Sequence, residues 1–263
     1  MGLPDLPAPL EFARLGKHPG IVHGVYPRTG GTSSAPYTGL NIGLNCGDTP
    51  ESVFKNRRMM LDSVGVSRAV FLNQVHGTHI HVLKNPGDTE GAVWNPDTGE
   101  TPCPVTADGV VTNIPDLALV IQVADCQAVI LYDPVNRVIA NVHSGWRGSV
   151  AGILGKCTQI MADEFSSRPG DIIAGISPSL GPCCSEFVNY RTEIPRRLWG
   201  YKSQDRPWFD FWKISMDQLA DQGLKTDNIE QMALCTVCNT DRFFSYRGEK
   251  NTGRFGAVIA MRR

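Results

Sequence analysis

The chain has 263 residues, 41% of them apolar and 19% charged, with a formal net charge of −1. That is ample for a sizeable core and ordinary for a soluble globular protein. The near-neutral charge excludes a global field that would recruit nucleic acid or an anionic membrane. The longest apolar runs, such as "LALVIQVA", are too short to span a bilayer. "MGLPDLPAPL" lacks the basic and apolar regions of a signal peptide, so a cytoplasmic protein is expected. Without a secretory signal the eight cysteines are expected as thiols, with at least one available as metal ligand or nucleophile.

After an N-terminal extension over residues 1–19, the pattern predicts a short strand over 21–25. A Gly/Ser/Thr-rich loop with Arg28 at the strand exit follows. In "DTPESVFKNRRMMLDSVG", Asp48 or Thr49 can cap a helix, Pro50 suits its first turn, and Gly65 can stop it. Val53, Met60, Leu61 and Val64 fall near helical spacing, and Arg57 lies on the same helix. "AVFLNQVHGTHIHVLKN" reads as two strands divided at Gly77. Residues 85–104, rich in Pro, Gly, Asp and Thr, read as an exposed loop. "ADGVVTN" predicts a short strand, and the run from Leu117 to Gly148 predicts three apolar segments broken at Ala124–Asp125 and Asp133–Pro134. "SVAGILGKCTQIMADEF" predicts one amphipathic helix capped by Ser149. Further on come a strand and turn in "DIIAGISPSLGPCC" and a helix ending at Pro195. An aromatic strand and a helix closing at Gly223 follow, then a strand–turn–strand in "NIEQMALCTVCNTDRFFSYRGE" and a last strand. Strands and helices do not alternate strictly, and no linker divides the chain. The expectation is one mixed α/β domain over 1–263.

Three places set ligand-type residues at strand ends: "NQVHG" with His76, "ADCQ" with Asp125 and Cys126, and "VHSGWRG" with His143. If the strands flanking a turn at Val135–Asn136 pair antiparallel, residue 126 falls opposite roughly residue 145, close to His143. A Cys–His pair suits a thiolate nucleophile and its base. A cysteine with two histidines makes a three-ligand zinc set with a fourth position open. His79 and His81 share a strand face and are expected outside, with His76 pointing inward. Cys235 and Cys238 have zinc-ribbon spacing without a second CxxC pair. Adjacent Cys183–Cys184 is a poor substitute, because neighbours on a strand point apart. Arg28, Arg57 and Arg147 together suggest a phosphate or other anionic substrate, and Arg147 precedes a helix N-terminus.

"GVYPRTGGTSSAPYTGLNIGLNCGD", "NQVHG", "ADGVVT", "ADCQAVILYDP", "ANVHSGWRG", "GISPSLGPCC" and "FFSYRGEKNTGR" occur in the order seen in the YfiH-like family, which the chain resembles over roughly residues 20 to 260. That family has carried the labels multicopper polyphenol oxidoreductase (laccase) and purine nucleoside phosphorylase. The resemblance implies a four-layer α/β/β/α fold with mixed sheets and a zinc site of His76, Cys126 and His143. It implies phosphorolysis of adenosine, inosine, guanosine and 5′-methylthioadenosine, and adenosine deamination. The substrates would be a purine nucleoside and phosphate, with no nucleic acid or membrane partner and a monomer or homodimer as the assembly. Asp125 is then a candidate proton shuttle or supporting partner of the metal, and Arg28, Arg57, Gln74 and Arg147 are candidate substrate-binding residues. The chain departs from the family pattern at Gln127–Ala128, Ser185 and Tyr26–Pro27, which bears on pocket shape rather than on the proposed ligands. Copper is the lesser expectation, because several coppers demand more imidazoles than six histidines supply. Two other classes are a cysteine hydrolase acting in peptidoglycan precursor editing and a zinc-stabilised binding protein without turnover.

Overall fold

The computed structural model describes residues 6–85, 88, 92–94, 96 and 104–263. In chain order the elements are β1 (Ile21–Tyr26), α1 (Pro50–Val64), β2 (Ala69–Phe71), β3 (Ile80–Leu83), β4 (Val93–Trp94), β5 (Gly109–Thr112), β6 (Ala118–Val123), β7 (Gln127–Asp133), β8 (Val138–Ser144), α2 (Trp146–Val150), α3 (Ile153–Phe165), β9 (Ile173–Ile176), α4 (Tyr190–Glu193), α5 (Phe211–Asp221), β10 (Ile229–Gln231), α6 (Tyr246–Glu249) and β11 (Phe255–Met261). One mixed sheet runs β1-β11-β6-β2-β4 and the other β10-β9-β7-β8-β5-β3.

Period-two alternation assembles the layers. On β6, Leu119, Ile121 and Val123 face the second sheet, while Ala118 and Val120 pack with Met60, Leu61 and Val64 of α1. On β7, Ala128 and Ile130 join the inter-sheet core, while Val129 and Leu131 pack with Ile153, Leu154, Cys157 and Met161 of α3. The result is α1, sheet, sheet, then α3 with α5: the expected four layers in one mixed α/β domain. Asn141 of β8 sits between the sheets and donates to the carbonyls of Leu119 (3.0 Å) and Ala257 (2.9 Å) in the facing sheet. These two bonds satisfy the amide nitrogen in an apolar core, while Oδ1 has no hydrogen-bond partner among the described residues.

The β7–β8 register pairs Gln127 with Ser144 and Ala128 with His143, so Cys126 lies opposite Gly145 as expected. Helix α1 begins at Pro50 and closes at Gly65 in the left-handed conformation, φ 70°. Elsewhere expectation and structure differ. The predicted helix from Ser149 is two helices, because Gly152 adopts φ 76° between α2 and α3, and Ser149 is a residue of α2 rather than a cap. The second strand expected after "CTVC" is replaced by α6, where the Ser245 side chain accepts from Gly248 N. The aromatic strand before α5 is reduced to isolated bridges, Glu186 with Trp208 and Lys202 with Phe209. In the N-terminal extension, Phe12 and Leu15 are buried in the inter-sheet core, and Leu10 bridges to Val25. Much of the loop over 85–104 lies outside the described residues, but Val93 and Trp94 inside it pair with β2, and Trp94 is buried rather than exposed. Among the described residues, no helix is long and apolar enough to cross a membrane.

Candidate metal centre and cavity

His143, the penultimate residue of β8, lies on the face that carries Ile139 and Asn141, toward the other sheet. Cys126 precedes β7, and His76 lies in the turn after β2. One ligand atom from each of these three residues lies within 4.8 Å of the others. The rings of His76 and His143 meet edge to face at 4.8 Å, and Cys126 Sγ is 3.7 Å from His76 Nε2. His143 is buried and Cys126 half-buried, while His76 is exposed, although its ring turns to the other two. His79 is exposed; His81 is half-buried on β3, away from the trio.

Asp108, which the sequence reading passed over, organises the trio. It lies just before β5 and is fully buried. Its Oδ1 is 2.8 Å from His143 Nδ1 and accepts from His76 N at 2.9 Å, while Oδ2 accepts from Gly77 N at 2.6 Å. Its own carbonyl accepts from His143 N at 2.7 Å. The carboxylate thereby holds the proton on Nδ1 of His143 and leaves the Nε2 lone pair on the side of Cys126, the arrangement that orients metal-ligating imidazoles. Burial opposes charge on Cys126 and His143 alike, but each stabilises the other's charged form. The Cys126 thiol is brought down to about 6, chiefly by His143, and His143 is raised to about 9, by Cys126 and then Asp108. In the absence of metal this is a thiolate–imidazolium pair. His76 and Asp125 both hold the left-handed backbone conformation, φ 60° and 84°. Such conformations in residues with a Cβ cost energy and collect at functional sites.

The glycines of "HSGWRG" let the backbone pass close to the trio and to Gly77. A Cβ on Gly145 would lie 2.8 Å from His76 Cδ2 and 3.1 Å from Cys126 Sγ, and one on Gly148 would lie 3.1 Å from the Gly77 carbonyl.

The trio opens into a cavity of about 850 Å³, within the range that small-molecule sites occupy. It sits at the C-terminal ends of β2, β6 and β8, walled by Phe71, Gln122, Trp146 and Phe187 among others. Arg57 reaches it from α1 and is 95% buried from solvent. Its Nε donates to the Ile42 carbonyl (2.9 Å), its Nη2 to Gln122 Oε1 (3.3 Å), and the guanidinium lies 3.8 Å over the Phe71 ring. It has no carboxylate partner among the described residues, and burial lowers its pKa to about 9. Arg147 stacks on Trp146 at 4.5 Å and faces the same cavity, with no ion pair among the described residues.

Other expected site residues are placed differently. Gln74 lines the cavity, yet both ends of its amide bind the backbone of Gln122, donating to O at 2.8 Å and accepting from N at 2.9 Å. Asp125 also lines it, but its carboxylate accepts from Thr236 Oγ1 (2.7 Å), Ser245 Oγ (2.7 Å) and Arg247 N (2.6 Å), and so ties the loop at Thr236 to the start of α6. Arg28 is outside the lining. It pairs with Glu249 at 2.7 Å and stacks over Phe244, so its charge is spent on holding α6. Arg247, Lys250 and Arg254 line the cavity from "SYRGEKNTGR", a motif whose basic residues were the available signal for them.

The family model described as multi-copper polyphenol oxidoreductase laccase matches residues 22–262. The chain is 32% identical over 240 residues to the purine nucleoside phosphorylase YfiH of Shigella flexneri, covering 88% of this chain and 90% of the relative. It is 34% identical over 246 residues to a purine nucleoside phosphorylase of Streptomyces coelicolor, covering 91% and 95%. The crystal structure of YlmD from Geobacillus stearothermophilus superposes with a TM-score of 0.82 at 28% identity, covering 93% of both chains.

Proposed function

The chain belongs to the multi-copper polyphenol oxidoreductase laccase family, and on that premise we propose that it is a purine nucleoside phosphorylase that also deaminates adenosine, with zinc held by His76, Cys126 and His143. The observation that carries this reading is one cavity that joins the Cys/His/His trio to a buried, carboxylate-free Arg57. The relatives named purine nucleoside phosphorylase support the same activity.

The residues fit a zinc ion. Two imidazoles and one thiolate are a zinc donor set, and Asp108 fixes the tautomer of His143. Zinc bound there supplies Lewis acidity at a position left open to solvent or substrate. In phosphorolysis an oxygen of hydrogen phosphate attacks the sugar C1′, the C1′–N9 bond breaks, and the purine leaves with the proton that hydrogen phosphate gives up. Arg57 and Arg147 hold the phosphate. A planar guanidinium matches two phosphate oxygens at once, and the buried setting strengthens that pairing. Phe71, Trp146 and Phe187 provide apolar and aromatic surface for a purine ring and exclude water from it. A multi-copper oxidase finds too few ligands. Of the six histidines, His18 packs on Tyr132, His23 accepts from Phe12 N, and His79 and His81 belong to the β3 segment. Only His76 and His143 reach the site.

The decisive experiment incubates the protein with adenosine and inosine, with and without phosphate, beside Cys126→Ala. Free base that appears only with phosphate, inosine formed from adenosine, and loss of both in the variant are the expected results. Full activity of Cys126→Ala would remove the trio from the reaction.

A second reading is favoured by the chain Cys126–His143–Asp108, which has the order of a thiol nucleophile, its base and the carboxylate that orients the base. A cysteine hydrolase of that kind works without metal and is stopped by alkylation; loss of activity on chelation rejects it.

A further inference from the structure

Cys183, Cys184, Cys235 and Cys238 are separated by up to 55 residues in sequence, yet their four sulfurs all lie within 4.8 Å of one another. Cys183 and Cys184 do not lie on a strand. They sit in a turn closed by Cys184 N donating to the Gly181 carbonyl at 2.9 Å, and a turn allows neighbouring side chains to converge. The sequence expectation that the pair is a poor partner for "CTVC" fails for that reason. Cys235 lies two residues before a short 3₁₀ segment, Val237–Asn239, and Cys238 lies within it. The two loops are held together independently by Ser179 N to the Leu234 carbonyl (3.1 Å) and Thr236 N to the Ser179 carbonyl (3.0 Å).

The sulfur spacing separates two chemistries. Cys238 Sγ lies 3.7 Å from Cys183 Sγ and 3.5 Å from Cys184 Sγ. A disulfide needs about 2.05 Å. Four sulfurs on a tetrahedron with Zn–S of about 2.3 Å lie ~3.8 Å apart. The two separations from Cys238 are close to that spacing and far from a disulfide, and all four sulfurs lie within 4.8 Å of one another. Gly181 N also donates to Cys235 Sγ at 3.4 Å, a bond that favours a sulfur carrying negative charge.

We propose that Cys183, Cys184, Cys235 and Cys238 form a second, structural zinc site, a closed four-thiolate centre independent of the His76–Cys126–His143 trio. Four protein ligands leave no open position, so this centre is structural rather than catalytic. Its position gives it a definite task. The turn it would hold leads directly into Glu186 and Phe187 of the cavity wall, and Cys235 precedes Thr236, which binds the Asp125 carboxylate beside Cys126. Zinc would close the wall of the cavity by joining two loops that the chain alone joins through a few backbone bonds.

The test uses Cys126→Ala, in which the trio is broken and any zinc that remains belongs to the second centre. Protein purified under reducing conditions and supplied with zinc is expected to retain one zinc per chain, against two in wild type. X-ray absorption at the zinc edge should show a shell of four sulfurs at about 2.3 Å. Adding Cys238→Ser to Cys126→Ala should remove that zinc. Because this double variant can also lose its fold, the sulfur shell in the folded single variant is the primary readout. Cys126→Ala that binds no zinc, or whose zinc shows nitrogen ligands, overturns the proposal. So does a Cys238 disulfide to Cys183 or Cys184 in the reduced protein. Loss of catalysis with the sulfur-bound zinc retained bears only on the trio.

Discussion

Asp108 Oδ1 lies 2.8 Å from His143 Nδ1 and in the same position accepts the backbone N–H of His76 at 2.9 Å. One buried oxygen thus sets both the ring of one candidate ligand and the backbone of another. Asp108→Asn keeps the shape but removes the charge that favours the proton on Nδ1. Zinc affinity, measured by competition with a chromophoric chelator, is expected to fall roughly 10–100-fold. An unchanged affinity would show that Asp108 serves folding alone.

Gly145 is the point where the backbone passes closest to the trio. Gly145→Ala places a methyl 2.8 Å from the His76 ring and 3.1 Å from Cys126 Sγ. His76 is exposed and can swing away, so the fold should survive while the ligand set opens. The expected result is native circular dichroism with one zinc fewer per chain and no phosphorolysis. Zinc at the wild-type level would sink the steric argument.

Arg57→Lys keeps the positive charge but loses the planar fork. Hydrogen bonds to charged groups contribute about 1.5–3 kcal/mol, and 1.4 kcal/mol is a factor of ten in affinity. The KM for phosphate is therefore expected to rise roughly 10–100-fold, with zinc content unchanged. A phosphate KM equal to wild type would place the phosphate elsewhere in the cavity.

The pH response of metal-free protein follows from the paired shifts. The Cys126 pKa, depressed to about 6, contributes stability that is present above the ordinary thiol value and lost as pH falls through 6. The His143 pKa, raised to about 9, contributes stability that is complete below the ordinary imidazole value and lost as pH rises through 9. The thiolate–imidazolium pair therefore spans about pH 6 to 9. Iodoacetamide labelling of Cys126, located by peptide mass spectrometry, should persist at pH 7 and fall with a midpoint near 6. Cys157, buried in apolar surroundings and pushed up to about 12, should stay unlabelled. A midpoint near 9 at Cys126 would show an unperturbed thiol.

Local periodicity carried much of the architecture. The spacing of Val53, Met60, Leu61 and Val64 and the stop at Gly65 located α1, because helix period and capping are properties of neighbouring residues. The turn at Val135–Asn136 fixed the β7–β8 register and set Cys126 opposite Gly145, because an antiparallel hairpin couples its two strands residue by residue. Together with the family motifs, this made the trio legible before any coordinates. Long-range partnership was not legible. Arg28 and Arg57 look alike in sequence, yet one is paired with Glu249 across 221 residues and the other lies buried beside Phe71 without a carboxylate. Asp108 stands in "ADGVVT" with no local feature that marks it as a partner of a ligand, and only the meeting of β5 with β8 brings it under His143. The four cysteines converge because a turn redirects Cys183 and Cys184 toward a loop some 55 residues away. Local sequence determined most of the strands and helices and which residues can bind metal. The tertiary structure alone decided which charges are neutralised and which thiols meet, since burial and Coulomb energy depend on distances in space and not on separation along the chain.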